Sequence, residues 1–394
     1  MLTISSISIM VLNCFLYIPD PHEFLWPRPR FLLLYEPYAS SSMYPHTIAT
    51  KLHLCYAFFM VHLPFLLTED GICRLQEGHL FILDRRRYPF ERVEVSCRNA
   101  EEVATALKAM VTQGGGPLEV ALKTMIMEAR NHERLPLLNQ VRHLEEAARL
   151  LADARPTNTT MARSLDEVLS EVEQRKDEPP VKVVEETVRT ILDRFAGIYH
   201  RIGKLGSTLI DDGDQILTTC FAEHTFLLSL LYAKQAGKNI RVLVSETRPY
   251  LQGSRLTAPS LEEAGIPLRV ITDGMGPTMI ASGQVQLYMT AADLVCRDGT
   301  VVNKIGTLAN ALACSRYGIP YHVLAISPDP DKKTRADITI EMRDPKEVTE
   351  CMGTRTTLDT IEGVYPAFDI VDPDLVTRII TPEGILKPSE IKEH

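Results

Sequence analysis

The chain has 394 residues, 45% of them apolar and 24% charged, the balance of a soluble globular protein of two or three domains. Lys and Arg total 42 against 51 Asp and Glu, a formal net charge of −9, which argues against nucleic acid as a partner but leaves room for a small phosphate ligand. The cysteines (Cys14, Cys55, Cys73, Cys97, Cys220, Cys296, Cys314 and Cys351) are dispersed with no C-x-x-C pair, which argues against a disulfide scaffold or a Cys-rich zinc site and points to a reducing, cytoplasmic setting.

Residues 1–67 are rich in aromatic and apolar side chains, are broken by Pro19, Pro21, Pro27 and Pro29, and hold no steady helix or strand period. A signal peptide would need a basic start, which is missing. The apolar runs Ile7–Ile18 and Leu54–Leu67 are too short to span a bilayer comfortably. This segment reads as a poorly defined extension, or as a start placed upstream of the folded chain, without membrane association.

From about Thr68 the chain becomes regular. Gly78–Pro89 reads as a strand and turn, followed by the strand RVEVSC. Four amphipathic helices are predicted over Ala100–Thr112, Leu118–Arg130, Leu138–Leu151 and Asn158–Gln174. Pro156 supplies a stop between the last two, and Lys176–Val181 is a short breaker. Residues 68–183 thus make a small, mainly helical domain.

A long helix over Val184–Leu205 leads into a second domain, 184–394, where the period changes. Strands are predicted at Gln215–Cys220, Ile240–Glu246, Leu268–Asp273, Gln286–Asp293 and Tyr321–Ile326, with helices at Glu223–Gln235, Pro259–Ala264, Gly276–Ser282 and Leu308–Tyr317 between them. Apolar strands alternating with helices indicate βαβ units and a parallel, Rossmann-like α/β sheet. Such sheets bind ligands at the carboxyl ends of their strands, which singles out Cys220, Glu246–Arg255, Asp273 and Asp293. A G-x-G-x-x-G turn, a P-loop, an H-E-x-x-H pair and an EF-hand spacing are all missing, so neither a nucleotide cofactor nor a metal is expected.

The segments LDRRRYP, ARPTN, TTC, ETRPYLQGSRLTA, ITDGM, AADLVCRDGTVVNKIGT and VYPAFDIV carry a resemblance. Over about Thr68–Pro388 the chain resembles the methylthioribose-1-phosphate isomerase family, which is related to ribose-1,5-bisphosphate isomerases and to regulatory subunits of translation initiation factor 2B. The resemblance implies a small helical domain on a Rossmann-like one, a homodimer, and conversion of an aldose 1-phosphate to its ketose 1-phosphate without cofactor. It places the catalytic pair on Cys220 and Asp293. Substrate contacts fall on Arg155, Gln252, Lys304 and, beside it, Asn303. Two departures stand out. Gln113 occupies the place of a phosphate-binding arginine, and the small-residue loop after the cysteine is replaced by Phe221–Ala222–Glu223–His224.

An aldose phosphorylated on its anomeric oxygen cannot open its ring freely. An acid must protonate the ring oxygen, and a hydrogen must move between C2 and C1. Asp293 is expected as the acid, its pKa raised by an apolar surround such as Phe221, Leu294 and Val295. Cys220, between a strand end and a helix start, is expected as the proton shuttle with a lowered pKa. Arg155, Arg255, Lys304 and the backbone N–H groups around Gln113, Gly114 and Gly115 are candidates for the phosphate. Asp273 orients a neighbour or binds a hydroxyl, Tyr365 and Asp369 close the pocket or hold a dimer, and Arg343–Pro345 reads as a surface turn. The alternative function is a non-catalytic regulatory subunit that binds a phosphosugar or nucleotide.

Overall fold

The computed structural model describes residues 61–156 and 158–393; the expected extension lies outside them over residues 1–60. The packed chain begins ahead of Thr68. Leu66 and Leu67 are buried, and the Leu66 carbonyl accepts a hydrogen bond from Arg85 at 2.8 Å.

Strands β1 (Cys73–Gln76), β2 (His79–Leu83) and β3 (Glu94–Cys97) form a three-stranded antiparallel sheet. Helices α1 (Ala100–Lys108), α2 (Gly116–Asn131), α3 (Leu137–Ala154), α4 (Thr159–Gln174) and α5 (Pro180–Ser207) follow. Their starts are chemically marked. Asn99 and Asn158 accept the amides of Glu102 and Met161, satisfying N–H groups that a first turn leaves free. Pro117 and Pro180 open α2 and α5, where the missing N–H costs nothing. The apolar stripes of these helices meet around Met125, Leu151, Val168 and Val184 in one core that also takes in β1 and β2. Helix α5 belongs to two cores: its first half packs there, and Ile202 packs against the main sheet.

The second half alternates β4 (Gln215–Thr218), α6 (Glu223–Gln235), β5 (Arg241–Ser245), α7 (Ala258–Glu263), β6 (Leu268–Ile271), α8 (Gly276–Ala281), β7 (Leu287–Ala291), the short β8 (Leu294–Val295) and β9 (Val301–Lys304), α9 (Thr307–Tyr317) and β10 (Tyr321–Leu324). An excursion follows with α10 (Lys346–Thr349) and the hairpin β11 (Glu350–Cys351) and β12 (Thr354–Arg355), before β13 (Phe368–Val371), β14 (Arg378–Thr381) and β15 (Gly384–Leu386). The seven-stranded sheet runs β15-β14-β10-β7-β4-β5-β6 and is parallel except for β15, which pairs antiparallel at the edge. Both faces of the central strands are covered. Ile216, Val242, Val244, Leu287 and Met289 pack into one core, while their chain neighbours Leu217, Leu243 and Tyr288 pack into another. Side chains alternate faces along a strand, so two buried faces require the uninterrupted apolar runs seen in the sequence. β8, β9 and β13 make a small antiparallel sheet of their own.

Strand order reverses at β4 and β7: the chain proceeds outward from β4 to β6 on one side and from β7 to β14 on the other. Loops leaving the two strands diverge there and open a crevice at their carboxyl ends.

Candidate active site

The expected strands are each too long at the functional end. β4 stops at Thr218, β6 at Ile271 and β7 at Ala291, two residues short of Cys220, Asp273 and Asp293, while β5 stops at Ser245, one residue short of Glu246 and two before Thr247. The chain turns in those two residues. Cys220 lies at φ 70° and Thr247 at φ 63°, left-handed backbone that a strand cannot contain. The turns are pinned. The Cys220 amide donates to Thr247 Oγ1 at 2.9 Å, and Thr257 Oγ1 donates to the Cys220 carbonyl at 2.7 Å. The Asp273 carboxylate accepts the amides of Thr247 at 2.8 Å and Arg248 at 2.7 Å, so Asp273 orients a neighbour.

A cavity of about 430 Å³ opens at the β4–β7 reversal, a volume suited to a small ligand. Cys220 and Asp293 both line it, together with Gln113, Gly114, Gly115, Arg155, Gln252, Asn303 and Lys304. The fold thus brings nine of the ten expected site residues to one crevice. Arg255 is not in its wall. Its Nε donates to the Tyr88 carbonyl at 3.0 Å, tying the loop after β5 to the turn after β2.

Gln252 reaches the cavity through a local irregularity. Gly253–Thr257 form a π-turn, and a Cβ at Gly253 would stand 1.7 Å from the Ser245 carbonyl oxygen, so only glycine fits. Gln252 is buried, and its Oε1 has no hydrogen-bond partner within the chain. Lys304 ends β9 and lies with its Nζ 4.3 Å from the Phe368 ring centre. Asn303 Nδ2 donates to Thr307 Oγ1 at 3.0 Å.

Electrostatics differ from expectation at the thiol. Burial pushes Cys220 up to about 12, against the pull of nearby Lys304, and Asp293 acts in the same direction as burial. Cys220 is partly buried at the cavity wall, where the surrounding protein solvates its anion less well than water, and that loss outweighs one lysine. The Asp293 pKa moves in the expected direction, but among charged neighbours rather than in the apolar surround expected: its side chain is exposed to the cavity, and desolvation by the surrounding protein raises its pKa while Lys304 and Arg155 oppose. Desolvation, then Arg343, pulls the Arg155 guanidinium below its ordinary value.

Sequence reasoning missed Arg343, Tyr199 and the contacts of Glu223, though it singled out the loop that carries His224. Arg343, expected in a surface turn, lines the cavity; it donates to Tyr250 Oη at 2.9 Å and pairs with Glu341 at 2.9 Å. No period marks it, because it arrives on the irregular excursion after β10. Tyr199 of α5 stacks on His224 with ring centres 4.8 Å apart, and both line the cavity. Glu223 lies against the Gly114–Gly115 turn. One of its carboxylate oxygens accepts from Arg85 at 2.6 Å and the other from the Gly115 amide. Arg85 is fully buried and also donates to the carbonyls of Gln113, Leu66 and Gly71. The LDRRRYP motif therefore serves the site from behind its wall.

Two residues of the VYPAFDIV motif brace the structure. Tyr365 is buried with its ring against Tyr250, and Asp369 accepts the amides of Gly306 and Leu308, holding the start of α9. Among the described residues no helix is long and apolar enough to cross a membrane.

The Initiation factor 2 subunit family matches residues 117–388. The methylthioribose-1-phosphate isomerase of Thermosipho africanus is 35% identical over 320 residues, 78% of this chain and 92% of its own length. Among solved structures, 5-methylthioribose 1-phosphate isomerase from Pyrococcus horikoshii aligns with a TM-score of 0.74 at 26% identity, covering 82% of this chain and 93% of that one. Subunit delta of translation initiation factor eIF-2B from A. fulgidus aligns with a TM-score of 0.71 at 28% identity, covering 82% and 99%. Together with a switch-point crevice lined by Cys220 and Asp293, these likenesses show that the chain belongs to the methylthioribose-1-phosphate isomerase and eIF2B-related family.

Proposed function

We propose that this protein is an aldose–ketose isomerase acting on 5-methylthioribose 1-phosphate or a closely related pentose or deoxypentose 1-phosphate. The observation that carries this reading is the meeting of Cys220, Asp293, Arg155 and Lys304 on one cavity of small-ligand size.

The raised pKa values suggest how protons move. Both groups enter protonated at low to moderate pH: a thiol near 12 keeps its proton throughout the neutral range, and burial favours the neutral Asp293 carboxyl. Asp293 gives its proton to the ring oxygen, and the C1–O bond to that oxygen breaks. The carboxylate left behind takes the proton from C2, forming the C1–C2 enol. The Cys220 thiol delivers its proton to C1. The C2 hydroxyl then returns its proton to the sulfur as the carbonyl forms. Each group ends as it began, and the phosphate stays on C1. Arg155, Lys304 and Arg343 provide the positive charge for that phosphate, and Gln252 Oε1 is free to accept from a sugar hydroxyl.

The test is turnover by the full chain with a panel of aldose 1-phosphates. Cys220→Ala and Asp293→Asn are each expected to lower kcat by roughly 10²–10⁴, the usual contribution of a positioned acid or base. Absence of turnover on every aldose 1-phosphate defeats the enzyme reading in favour of a regulatory subunit. We also propose a homodimer, which sedimentation of the full chain at micromolar concentration tests.

A further inference from the structure

Arg343 meets two carboxylates by different routes. Its Nη2 pairs with Glu341 directly at 2.9 Å. Its Nη1 donates to Tyr250 Oη at 2.9 Å, and that hydroxyl in turn donates to Glu347 Oε1 at 2.9 Å. One hydroxyl oxygen therefore stands between the guanidinium and the second carboxylate, accepting from the first and donating to the other. Of these four side chains only Arg343 lines the cavity. The Arg343 Nε–H and Glu347 Oε2 are both buried, and neither has a hydrogen-bond partner among the described residues.

Each member of this chain is held from more than one side. The Tyr250 ring meets Tyr365 edge-on with centres 6.1 Å apart, and the Arg343 Cζ lies 5.6 Å from its centre. Arg248, two residues before Tyr250, donates from Nη2 to the carbonyls of Val348 at 2.9 Å and Glu350 at 3.0 Å, clamping α10 and its Glu347 to the loop after β5. The Arg343 amide donates to the Tyr365 carbonyl at 2.9 Å. A direct pair between Arg343 and Glu347 would be a charge-assisted bond stronger than the bridged one, and in a poorly solvated place it would neutralise the guanidinium. The spacing set by the hydroxyl leaves that charge active at the cavity, where Arg343 acts on both Asp293 and Arg155.

We propose that Tyr250 is a positioning residue whose hydroxyl insulates Arg343 from Glu347, so that the guanidinium has one carboxylate partner rather than two and keeps its charge for the substrate's phosphate. The proposal rests on the isomerase reading for the identity of that anion. Tyr250 itself does not line the cavity and acts through Arg343. Without the hydroxyl, Glu347 loses the side-chain donor it has, and Arg343 is the cation that acts on it most strongly. The two would then close on each other, and the arginine would withdraw from the ligand.

The test compares the full wild-type chain with Y250F, E347Q and the double variant Y250F/E347Q. Steady-state kinetics are measured on 5-methylthioribose 1-phosphate, and affinity for inorganic phosphate is measured by calorimetry. In Y250F, KM is expected to rise and phosphate affinity to fall, each about tenfold, with kcat changed less than about threefold, the pattern of lost binding shared by ground and transition states. E347Q keeps an acceptor for the hydroxyl, so both quantities should move by less than about threefold. In the double variant the competing charge is gone, and both should return to within about threefold of wild type. A double variant as impaired as Y250F overturns the proposal, because the hydroxyl then serves only as a hydrogen bond. A Y250F indistinguishable from wild type, or a wild type without measurable phosphate affinity, overturns it as well. If no form turns over the sugar, the isomerase reading fails by itself, and the phosphate affinities alone decide the role of Tyr250. Should Y250F fail to fold, a folded double variant with wild-type phosphate affinity still supports insulation, since it shows the stranded carboxylate to be the cause; failure of both to fold overturns it.

Discussion

The Cys220 amide donates to the Thr247 hydroxyl at 2.9 Å, linking the turn after β4 to the turn after β5 across two neighbouring parallel strands. Thr247 Oγ1 in turn donates to the Ser245 carbonyl at 3.0 Å, so one hydroxyl fixes two left-handed turns. The thiol's position depends on this contact, because a non-glycine residue at φ 70° persists only where its surroundings hold it there.

Thr247→Val keeps the shape and removes the hydroxyl, leaving the Cys220 amide unpaired. We expect kcat to fall about tenfold with KM changed less than threefold, since one lost buried hydrogen bond is worth roughly 1–3 kcal/mol. Thr247→Ser restores the acceptor and should recover most of kcat. Steady-state kinetics on the three forms check this; equal kcat in all of them removes the positioning role.

The pH dependence follows from Asp293. In the proposed mechanism its acid form opens the ring, so kcat/KM should fall as pH rises through its raised pKa. Lys304 opposes that raised pKa by favouring the carboxylate, so removing its charge raises the pKa further. The falling limb in Lys304→Gln should therefore move to higher pH, while the thiol, near 12, adds no limb in the neutral range. Profiles on the same substrate cancel the ionisation of its phosphate. A limb that stays in place or moves to lower pH contradicts the assignment.

Much of this geometry was readable in advance, and the exceptions have a physical pattern. The apolar runs of β4, β5, β7 and β10 and the stripes of α1 to α5 follow from periods of two and about three and a half, which burial on one or both faces imposes. Cys220 and Asp293 were legible because parallel strands point their carboxyl ends at a ligand. Arg343 and Glu223 were not. Arg343 comes from an irregular excursion with no period. Glu223 matters through a contact with Gly115, 108 residues earlier, which no local pattern encodes. The thiol's protonation was misjudged for a related reason: helix-start chemistry is local, whereas the desolvation that outweighs it is set by the whole surround.

Arg85 and Glu223 form a buried pair, with the arginine side chain fully covered. Arg85→Met leaves the Glu223 carboxylate without its charged partner and the carbonyls of Leu66 and Gly71 without their arginine donor. A loss of about 3–5 kcal/mol in urea unfolding is expected. Adding Glu223→Gln to that variant should recover part of it, because the stranded charge goes too. A double variant no more stable than Arg85→Met alone would show that the carbonyls, not the ion pair, set the cost.

Gln252→Ala removes a cavity-lining side chain whose Oε1 has no partner within the chain. KM should rise roughly tenfold, the worth of about one good hydrogen bond, with kcat lowered less. Thermal unfolding should change little, since Gln252 Oε1 has no partner to lose within the chain. A Tm drop of many degrees with unchanged KM would mark it as a loop brace instead.

Lys304 and Asn303 sit on β9, which is held in register by β13 from Phe368↔Lys304 to Val371↔Val301. Asp369 of that late strand also anchors Gly306 and Leu308 just beyond. In chain order Cys220 and Asp293 come first, but Lys304 meets its register partner only at Phe368, sixty-four residues further on. A chain ending before Phe368 would keep Cys220 and Asp293 and lose the register partner of Lys304. The placement of Lys304 at the crevice thus depends on a strand returning from near the far end of the chain.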